Sequence, residues 1–205
     1  MQKGSIVTAD EVGKLLNVSR ETMWQFEAYL ALLEKWQRRI NLVANSTMVD
    51  AWQRHILDSA QLVRFYPPNT KKILDVGSGA GFPGLVLAIM GNVQVDLVES
   101  DHRKATFLST VIRSLGLPAK VHNQRIESLP SLAPDVVTAR ALAPASKLLK
   151  LIKNQISPDT VCLFLKGASV EDELTDLQSY STMVPLSHPS LSDPNGVVLE
   201  LKYNW

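Results

Sequence analysis

Apolar residues in the first third of the chain recur at steps of three and four, which places them on one face of a helix. The clearest run consists of Phe26, Tyr29, Leu30, Leu33, Trp36 and Ile40. A second run with similar spacing consists of Val49, Trp52, Ile56 and Val63. The second helix must stop before Pro67 and Pro68, because proline cannot continue a helix. The pattern therefore predicts an N-terminal helical extension over residues 1–68.

Beyond these prolines the pattern changes to short apolar runs that alternate with helical segments. Buried strands are expected at residues 71–76, 93–98, 119–122, 135–139 and 161–166, with helices at 85–90, 103–115 and 146–156 between them. Weaker alternation adds candidate strands at 182–187 and 197–201. Strands that alternate with helices are joined by right-handed crossovers. Residues 69–205 are therefore expected to form one α/β domain, a Rossmann-like, mostly parallel sheet with helices on both faces.

The strongest local motif lies between the first predicted strand and the next helix. Residues 74–84 read Leu-Asp-Val-Gly-Ser-Gly-Ala-Gly-Phe-Pro-Gly. Glycines at this place let the backbone turn tightly and let a ligand approach it closely. The stretch from Gly79 to Gly84 also satisfies the G-x-G-x-x-G pattern of nicotinamide-binding folds, and Glu99 lies 20 residues beyond Gly79. A dinucleotide cofactor is therefore one alternative.

Asp75 helps to separate the two candidate cofactors. A carboxylate beside this turn would repel the pyrophosphate of a dinucleotide, whereas it would attract the sulfonium and the ammonium of S-adenosylmethionine. Glu99 follows the second strand and could accept hydrogen bonds from the ribose of either cofactor. A turn or helix-cap carboxylate is the structural alternative for Asp75. The chain also offers little room for a separate dehydrogenase substrate domain, so the balance favours a methyltransferase.

The charges are distributed unevenly, although the net charge is only +1. Residues 71–166 carry 12 basic and 7 acidic side chains, whereas residues 167–205 carry 1 basic and 6 acidic side chains. A basic middle of this kind can attract a polyanion such as RNA, or it can simply be solvated.

The single cysteine, Cys162, excludes an internal disulfide and a cysteine-based zinc site, and we expect no metal. We see no signal peptide and no apolar run of about 18 residues, so we expect a cytoplasmic protein without membrane contact.

Two motifs read together resemble a known family. The glycine loop continues into Phe-Pro-Gly, and Arg-His-Ile-Leu-Asp-Ser precedes it at residues 54–59. With Ala-Arg-Ala at 139–141 and Leu-Lys-Gly at 165–167, the chain is similar to the bacterial 16S ribosomal RNA guanine-N7 methyltransferases, the glucose-inhibited division protein B family. The resemblance implies a class I methyltransferase fold with S-adenosylmethionine as the cofactor. It also implies methylation of N7 of one guanine in the decoding-region loop, with 16S ribosomal RNA or the small subunit as the partner.

The resemblance assigns cofactor contacts to Gly77, Phe82, Ile126, Glu127 and Arg140. Together with the loop chemistry, the predicted cofactor-binding set is Asp75, Gly77, Ser78, Gly79, Gly81, Phe82, Glu99, Ile126, Glu127 and Arg140. The predicted substrate-binding set is His55, Asp58, Arg103, Lys104 and Lys166. Structural ion pairs, polar contacts or solvated charges are the alternatives for Arg140 and for the substrate set.

Guanine N7 has an available lone pair, so methyl transfer to it needs alignment and electrostatics but no catalytic base. Arg140 follows the fourth predicted strand at the edge where ligands bind in such sheets, and we expect it to be the catalytic residue. The competing functions are a methyltransferase for a small molecule or protein, a nicotinamide-dependent oxidoreductase, and a non-catalytic RNA-binding module. A monomer is expected.

Overall fold

The computed structural model describes residues 7–167, 170–178 and 183–203. Its first part contains α1 (Ala9–Leu16), α2 (Arg20–Gln37) and a 3-10 turn at Asn45–Thr47. A continuous helical stretch follows, which is π-helical at Trp52–Leu57, α-helical at Asp58–Ala60 (α3) and 3-10 at Gln61–Phe65. We call this stretch the 52–65 segment. The predicted N-terminal helices are therefore present, although the second of them is irregular.

The rest of the described chain alternates strands with helices. The elements are β1 (Lys72–Val76), α4 (Gly84–Met90), β2 (Gln94–Val98), α5 (His102–Leu115), β3 (Ala119–His122), β4 (Val136–Arg140), α6 (Ala145–Ile152), β5 (Val161–Lys166), α7 (Val170–Gln178), β6 (Met183–Pro189) and β7 (Val197–Tyr203). Thr182, with which the sixth predicted strand was expected to begin, lies outside the described residues. The structure contains every predicted strand, and the observed ends of each strand, within its described part, agree with the predicted ends to about two residues.

The seven strands form one sheet in the order β3-β2-β1-β4-β5-β7-β6. The first five strands pair in parallel, whereas β7 is antiparallel to both β5 and β6. The chain runs outward from β1 through β2 to β3 and then returns to the other side of β1 with β4. This reversal of direction is a switch point, and ligands bind there in open α/β sheets. The predicted Rossmann-like, mostly parallel sheet is confirmed.

Helices cover both faces of the sheet. On one face, Phe26 and Tyr29 of α2 share a core with Leu85 of α4 and Phe107 of α5. On the other face, α6 and α7 pack against a second set of strand residues, which includes Phe164 of β5. The N-terminal helices therefore share a core with the sheet, and the division of the chain at residues 68 and 69 stays a prediction. No helix in the described ranges is long and apolar enough to cross a membrane.

The loop between β6 and β7, residues 190–196, contacts the 52–65 segment through polar groups; we call it the hairpin loop. The side chain of Gln53 donates to the carbonyl of Ser192 at 2.8 Å, and Arg54 forms an ion pair with Asp193 at 2.6 Å. These contacts join residues about 139 positions apart in the sequence. The last two strands thereby bring the hairpin loop beside the N-terminal part of the protein.

Candidate active site

The loops that follow β1 and β4 meet at the switch point of the sheet. Gly77 begins the first loop with a φ of +68°, and Ala141 begins the second with a φ of +51°. A Cβ atom on Gly77 would lie 2.7 Å from a methyl group of Leu142, so a larger residue would have to displace that side chain and would be strained at this φ. The N–H groups of Gly77 and Ser78 both donate to the carbonyl of Val98 on β2, at 2.9 and 3.1 Å. The glycine loop is therefore fixed to two neighbouring strands.

Glu99 holds the next part of the same loop. One carboxylate oxygen accepts the N–H of Gly79 at 2.9 Å, and the other accepts the N–H of Asp101 at 2.7 Å. Asp101 in turn caps α5 by accepting the N–H groups of Arg103 and Lys104. A carboxylate can accept about four hydrogen bonds, so these contacts leave acceptor capacity for a ribose hydroxyl. The ribose contact stays a prediction.

A cavity of about 700 Å³ opens at the meeting of these loops. This volume lies within the range of roughly 300–1,000 Å³ that small-molecule sites occupy. Nine predicted site residues line it: Gly77, Ser78, Gly79, Phe82, Arg140, His55, Asp58, Lys104 and Lys166. The remaining wall consists of Leu42, Val43, Ala44, Thr47, Arg54, Ala80, Ala141, Leu142, Ala143, Pro144, Leu165, Gly167, Glu173, Ser192, Asp193 and Gly196. Loops from both ends of the chain therefore complete a site whose floor is the switch point.

Arg140 is anchored on one side of its guanidinium. Its Nη1 donates to the carbonyl of Arg54 at 3.0 Å and to Nδ1 of His55 at 3.2 Å, and lies 3.5 Å from a carboxylate oxygen of Asp58. The guanidinium carbon lies 4.8 Å from the centre of the Phe82 ring, which places the cation over the ring face. All three polar contacts use Nη1, so Nε and Nη2 have no partner among the described residues. Those two nitrogens remain as donors for a ligand.

His55 is held as a neutral ring. Burial, together with the positive charges of Arg140 and Arg54, lowers its pKa to about 3. Since Nδ1 accepts the hydrogen bond from Arg140, the ring proton lies on Nε2, which donates to the hydroxyl of Thr47 at 3.0 Å. The ring also stacks on Phe82, with centroids 4.7 Å apart. His55 therefore supports Arg140 and offers no free base near neutral pH.

The family of the chain follows from its relatives. A family model described as rRNA small subunit methyltransferase G (GidB) matches residues 22–197. The chain belongs to this family. A relative from Rhodospirillum rubrum, named "Ribosomal RNA small subunit methyltransferase G", is 52% identical over 184 residues, covering 90% of this chain and 92% of the relative. A protein of the same name from Parvibaculum lavamentivorans is 45% identical over 203 residues, covering 96% and 90%. The resemblance drawn from the sequence is confirmed.

Solved structures of other methyltransferases share the fold of this methyltransferase G family member. A TehB-like SAM-dependent methyltransferase from Corynebacterium glutamicum gives a TM-score of 0.60 at 16% identity, covering 85% of this chain and 99% of that one. A SAM dependent methyltransferase from Aquifex aeolicus gives a TM-score of 0.57 at 15% identity, covering 84% and 98%. At such low identity the likeness shows the fold alone. The class I methyltransferase fold is confirmed.

Six of the site residues predicted for this family member do not line the cavity, although all lie within the described ranges: Asp75, Gly81, Glu99, Arg103, Ile126 and Glu127. Ile126 is buried and Glu127 is exposed on a 3-10 turn. Gly81 is in contact with the core, since a Cβ there would meet Leu85 and Tyr29. Direct cofactor contacts by Ile126, Glu127 and Gly81 stay predictions.

Asp75 lies beneath the glycine loop and is fully buried. One carboxylate oxygen accepts the hydroxyl of Thr138 at 2.8 Å, and the other would lie 2.7 Å from a Cβ added at Gly84, at the start of α4. Burial raises the pKa of this carboxyl to about 6, although the hydrogen bond from Thr138 acts in the opposite direction. The carboxylate faces the protein interior and does not line the cavity, so its expected direct contact with the cofactor stays a prediction. The contacts with Thr138 and with the start of α4 are compatible with the turn and helix-start alternative.

The cationic residues of the predicted substrate set have different surroundings in this methyltransferase. Lys166 is nearly buried and donates at 2.7 Å both to Glu173 and to the carbonyl of Ala143, so a phosphate contact would require that ion pair to open. Arg103 lies 3.7 Å from Asp101 and is largely exposed. Lys104 lines the cavity. Their contacts with RNA stay predictions.

Replacing Asp75 with asparagine should change how stability depends on pH. Folding raises the pKa of this carboxyl from 3.8 to about 6. The folded protein is therefore most stable, as far as this group is concerned, below about pH 4, and this stabilisation is lost as the pH rises to about 6. The change in pKa corresponds to roughly 3 kcal/mol. Asparagine does not ionise. We expect the stability of Asp75→Asn relative to wild type to rise by roughly 2–3 kcal/mol between pH 4 and pH 7.

Urea unfolding at several pH values measures this difference, and the contribution of His55 is common to both proteins and cancels. Asp159→Asn, which removes an exposed carboxyl, serves as the control. Parallel pH curves for wild type and Asp75→Asn would contradict the raised pKa.

Proposed function

We propose that this protein transfers a methyl group from S-adenosylmethionine to N7 of a guanine in the decoding-region loop of 16S ribosomal RNA, and that it does so in the cytoplasm. The observation that carries the proposal is the anchored guanidinium of Arg140 at the switch-point cavity, beside a neutral His55. The names of the relatives support a ribosomal RNA substrate. The uneven charge of the sequence, basic over residues 71–166, supports a polyanionic partner.

The residues around the cavity fit S-adenosylmethionine. A Cβ at Gly79, whose φ is +56°, would meet only the carbonyl oxygen of Gly77, at 3.7 Å, so the loop backbone is open for close approach by a ligand. Gly77, Ser78, Gly79 and Phe82 would hold the cofactor along the loop, with acceptor capacity on Glu99 nearby. When bound, the cofactor supplies an electrophilic methyl group on a sulfonium.

The protein's own residues then need only to orient the base and balance its charge. N7 of guanine attacks with an in-plane lone pair, so no proton has to be removed first. The donors on Nε and Nη2 of Arg140 can bind the carboxylate of the cofactor or the O6 atom of the base, in a planar two-point geometry. The negative charge of Asp58, which lies 3.5 Å from the guanidinium, stabilises the positive charge that the reaction places on the base. A site without a free base suits N7 as the target atom.

Thermal unfolding with ligands tests the cofactor. S-adenosylhomocysteine at about 100 times its dissociation constant should stabilise the folded protein by roughly 2.7 kcal/mol, which corresponds to a rise in Tm of about 5–10 °C. NAD and NADP at equal concentration should leave the Tm unchanged. A larger rise with either dinucleotide would contradict the methyltransferase proposal.

Mass mapping of ribosomal RNA tests the substrate. Small subunits from cells that lack the protein are incubated with it and with labelled S-adenosylmethionine, and nuclease fragments of the 16S RNA are then sequenced by mass spectrometry. We expect one methyl group, on N7 of a guanine in the decoding-region loop. A label on a pyrimidine, on an exocyclic amine or only on protein would reject the proposed target.

A further inference from the structure

The hairpin loop is connected to the anchored side of Arg140 through two side chains. Ser192, which is 3% exposed, donates its hydroxyl proton to Oδ1 of Asp58 at 2.6 Å. The other oxygen of Asp58, Oδ2, lies 3.5 Å from Nη1 of Arg140. Ser192 is therefore separated from the guanidinium by a single carboxylate, although it lies far from Arg140 in the sequence.

The direction of the hydrogen bonds in this loop follows from their partners. The Gln61 carbonyl oxygen accepts the N–H of Leu191 at 2.8 Å, which fixes the orientation of the amide. Its NH₂ group then donates to the hydroxyl of Ser190 at 3.0 Å and to Oδ1 of Asp58 at 3.1 Å. The hydroxyls of Ser190 and Ser192 are 2.9 Å apart, and since that of Ser192 donates to Asp58, that of Ser190 donates to Ser192. The two serine hydroxyls of the loop therefore form a series of hydrogen bonds that ends at the Asp58 carboxylate.

A second series of hydrogen bonds holds the guanidinium from the N-terminal side. Nη1 of Arg140 donates to Nδ1 of His55, Nε2 of His55 donates to Thr47, and the hydroxyl of Thr47 donates to the carbonyl of Ala44 at 2.7 Å. Both series therefore meet at the same nitrogen. A shift of either one changes where Nε and Nη2 of Arg140 are presented in the cavity.

We propose that Ser192 is a positioning residue for methyl transfer, which acts through Asp58 to fix the guanidinium of Arg140. The inference rests on the proposed function, since it supposes that Arg140 contacts the cofactor or the base. Ser192 itself donates to Asp58 and has no need to touch the reacting atoms. Its hydrogen bond, the shorter of the two that Oδ1 of Asp58 accepts from Ser192 and Gln61, keeps the carboxylate directed at Nη1, so the other two guanidinium nitrogens face the ligand.

The first test compares Ser192→Ala with Ser187→Ala, an exposed serine on β6 of the same hairpin. Loss of a hydrogen bond to a charged group should lower kcat by about 10-fold in Ser192→Ala. KM for S-adenosylmethionine should stay within about twofold where Arg140 binds the base, and it should rise where Arg140 binds the carboxylate of the cofactor. Ser187→Ala should match wild type. Equal kcat values for Ser192→Ala and wild type would overturn the inference.

A double-mutant cycle separates positioning from general support of the fold. If Ser192 acts through the guanidinium of Arg140, Ser192→Ala should lower kcat by less than about twofold in an Arg140→Lys background. The same roughly 10-fold loss in both backgrounds would show that Ser192 affects activity independently of Arg140, which overturns the inference. If Ser192→Ala does not fold, Ser192→Cys replaces it in the cycle, because the thiol fills the same place and is only a weak donor to Asp58.

The ¹⁵N NMR signals of His55 give a readout that needs no activity. Wild type should show an unprotonated Nδ1 that accepts a hydrogen bond and a protonated Nε2. Movement of the guanidinium in Ser192→Ala should shift the Nδ1 signal, whereas Ser187→Ala should leave it unchanged. An unchanged Nδ1 signal in Ser192→Ala overturns the inference whatever the protein methylates. Failure of the wild type to methylate 16S RNA, with a shifted Nδ1 signal in Ser192→Ala, contradicts the proposed function alone.

Discussion

Arg140→Lys is expected to lower kcat by at least ~10-fold, which is about 1.4 kcal/mol of barrier. Lysine keeps a positive charge, but it cannot hold one nitrogen against Arg54, His55 and Asp58 while presenting two more to a ligand. It also lacks the planar group that lies over Phe82. Arg140→Ala should lose more activity, since the carboxylate of Asp58 would then face the cavity without its cation.

Steady-state kinetics with saturating cofactor and ribosomal RNA measure this effect, with Arg113→Lys on the exposed side of α5 as the matched control. Circular dichroism should show the wild-type fold in both Arg140 variants. The wild-type rate should stay flat from about pH 6.5 to 8.5, because the pKa of His55 lies near 3 and no base is needed. A lysine variant with the wild-type rate would argue against two-point donation by the guanidinium of Arg140. A pH–rate profile with an ionisation near neutral pH would indicate a catalytic base.

Gly81→Ala is expected to cost about 3–4 kcal/mol of stability. The φ of Gly81 is +95°, where an L residue is strained by roughly 1–2 kcal/mol. A Cβ there would also lie 2.3 Å from a methyl of Leu85 and 2.9 Å from the hydroxyl of Tyr29, both fully buried. Overpacking of this kind adds about 1–3 kcal/mol. The Tyr29 hydroxyl donates to the carbonyl of Ala80 at 2.6 Å, so the loop itself would have to move.

Gly116→Ala is the matched control for this experiment. Gly116 also has a positive φ, +62°, at the end of α5, but nothing lies within 4 Å of the added Cβ. We expect it to lose only about 1–2 kcal/mol, and chemical denaturation of both variants measures the difference. Equal losses would mean that the contacts of Gly81 with Leu85 and Tyr29 contribute little.

The sheet could be predicted from the sequence because buried strands bounded by glycine, proline and polar residues have a strong local pattern. The 52–65 segment could not be predicted in the same detail. Val49 and Val63 were expected on its buried face, yet they are 70% and 38% exposed. Val49 lies in a turn before the segment begins. The segment itself passes from π-helical to α-helical to 3-10 geometry, so a constant 3.6-residue period assigns the wrong face to Val63.

Long-range polar contacts account for other differences. The α6 helix ends at Ile152 instead of reaching residue 156, and the buried side chain of Gln155 is bonded to the carbonyl of Leu129 and the N–H of Leu132. No local pattern predicts such a partner.

The same reasoning explains what could be predicted of the site. Arg140 and the loop from Gly77 to Phe82 were expected at the ligand-binding edge, because strand ends and glycine turns are visible in the sequence. The inward position of Asp75 depends on Thr138 of β4, a partner 63 residues away. Ser192 was missed entirely, since a serine in a loop carries no signal until the fold brings it to Asp58.

The order in which the elements occur along the chain has a consequence for biosynthesis. All five parallel strands precede β6 and β7, so the glycine loop and the Arg140 cluster can leave the ribosome before the hairpin loop exists. A nascent chain at that stage could have most of its sheet but would lack the cavity wall formed by Ser192 and Asp193. The enzyme that we propose to modify ribosomes would therefore stay inactive until residues 190–196 have been made and have reached the 52–65 segment. A pause in translation between residues 166 and 190 would delay activity more than it delays folding of the five parallel strands.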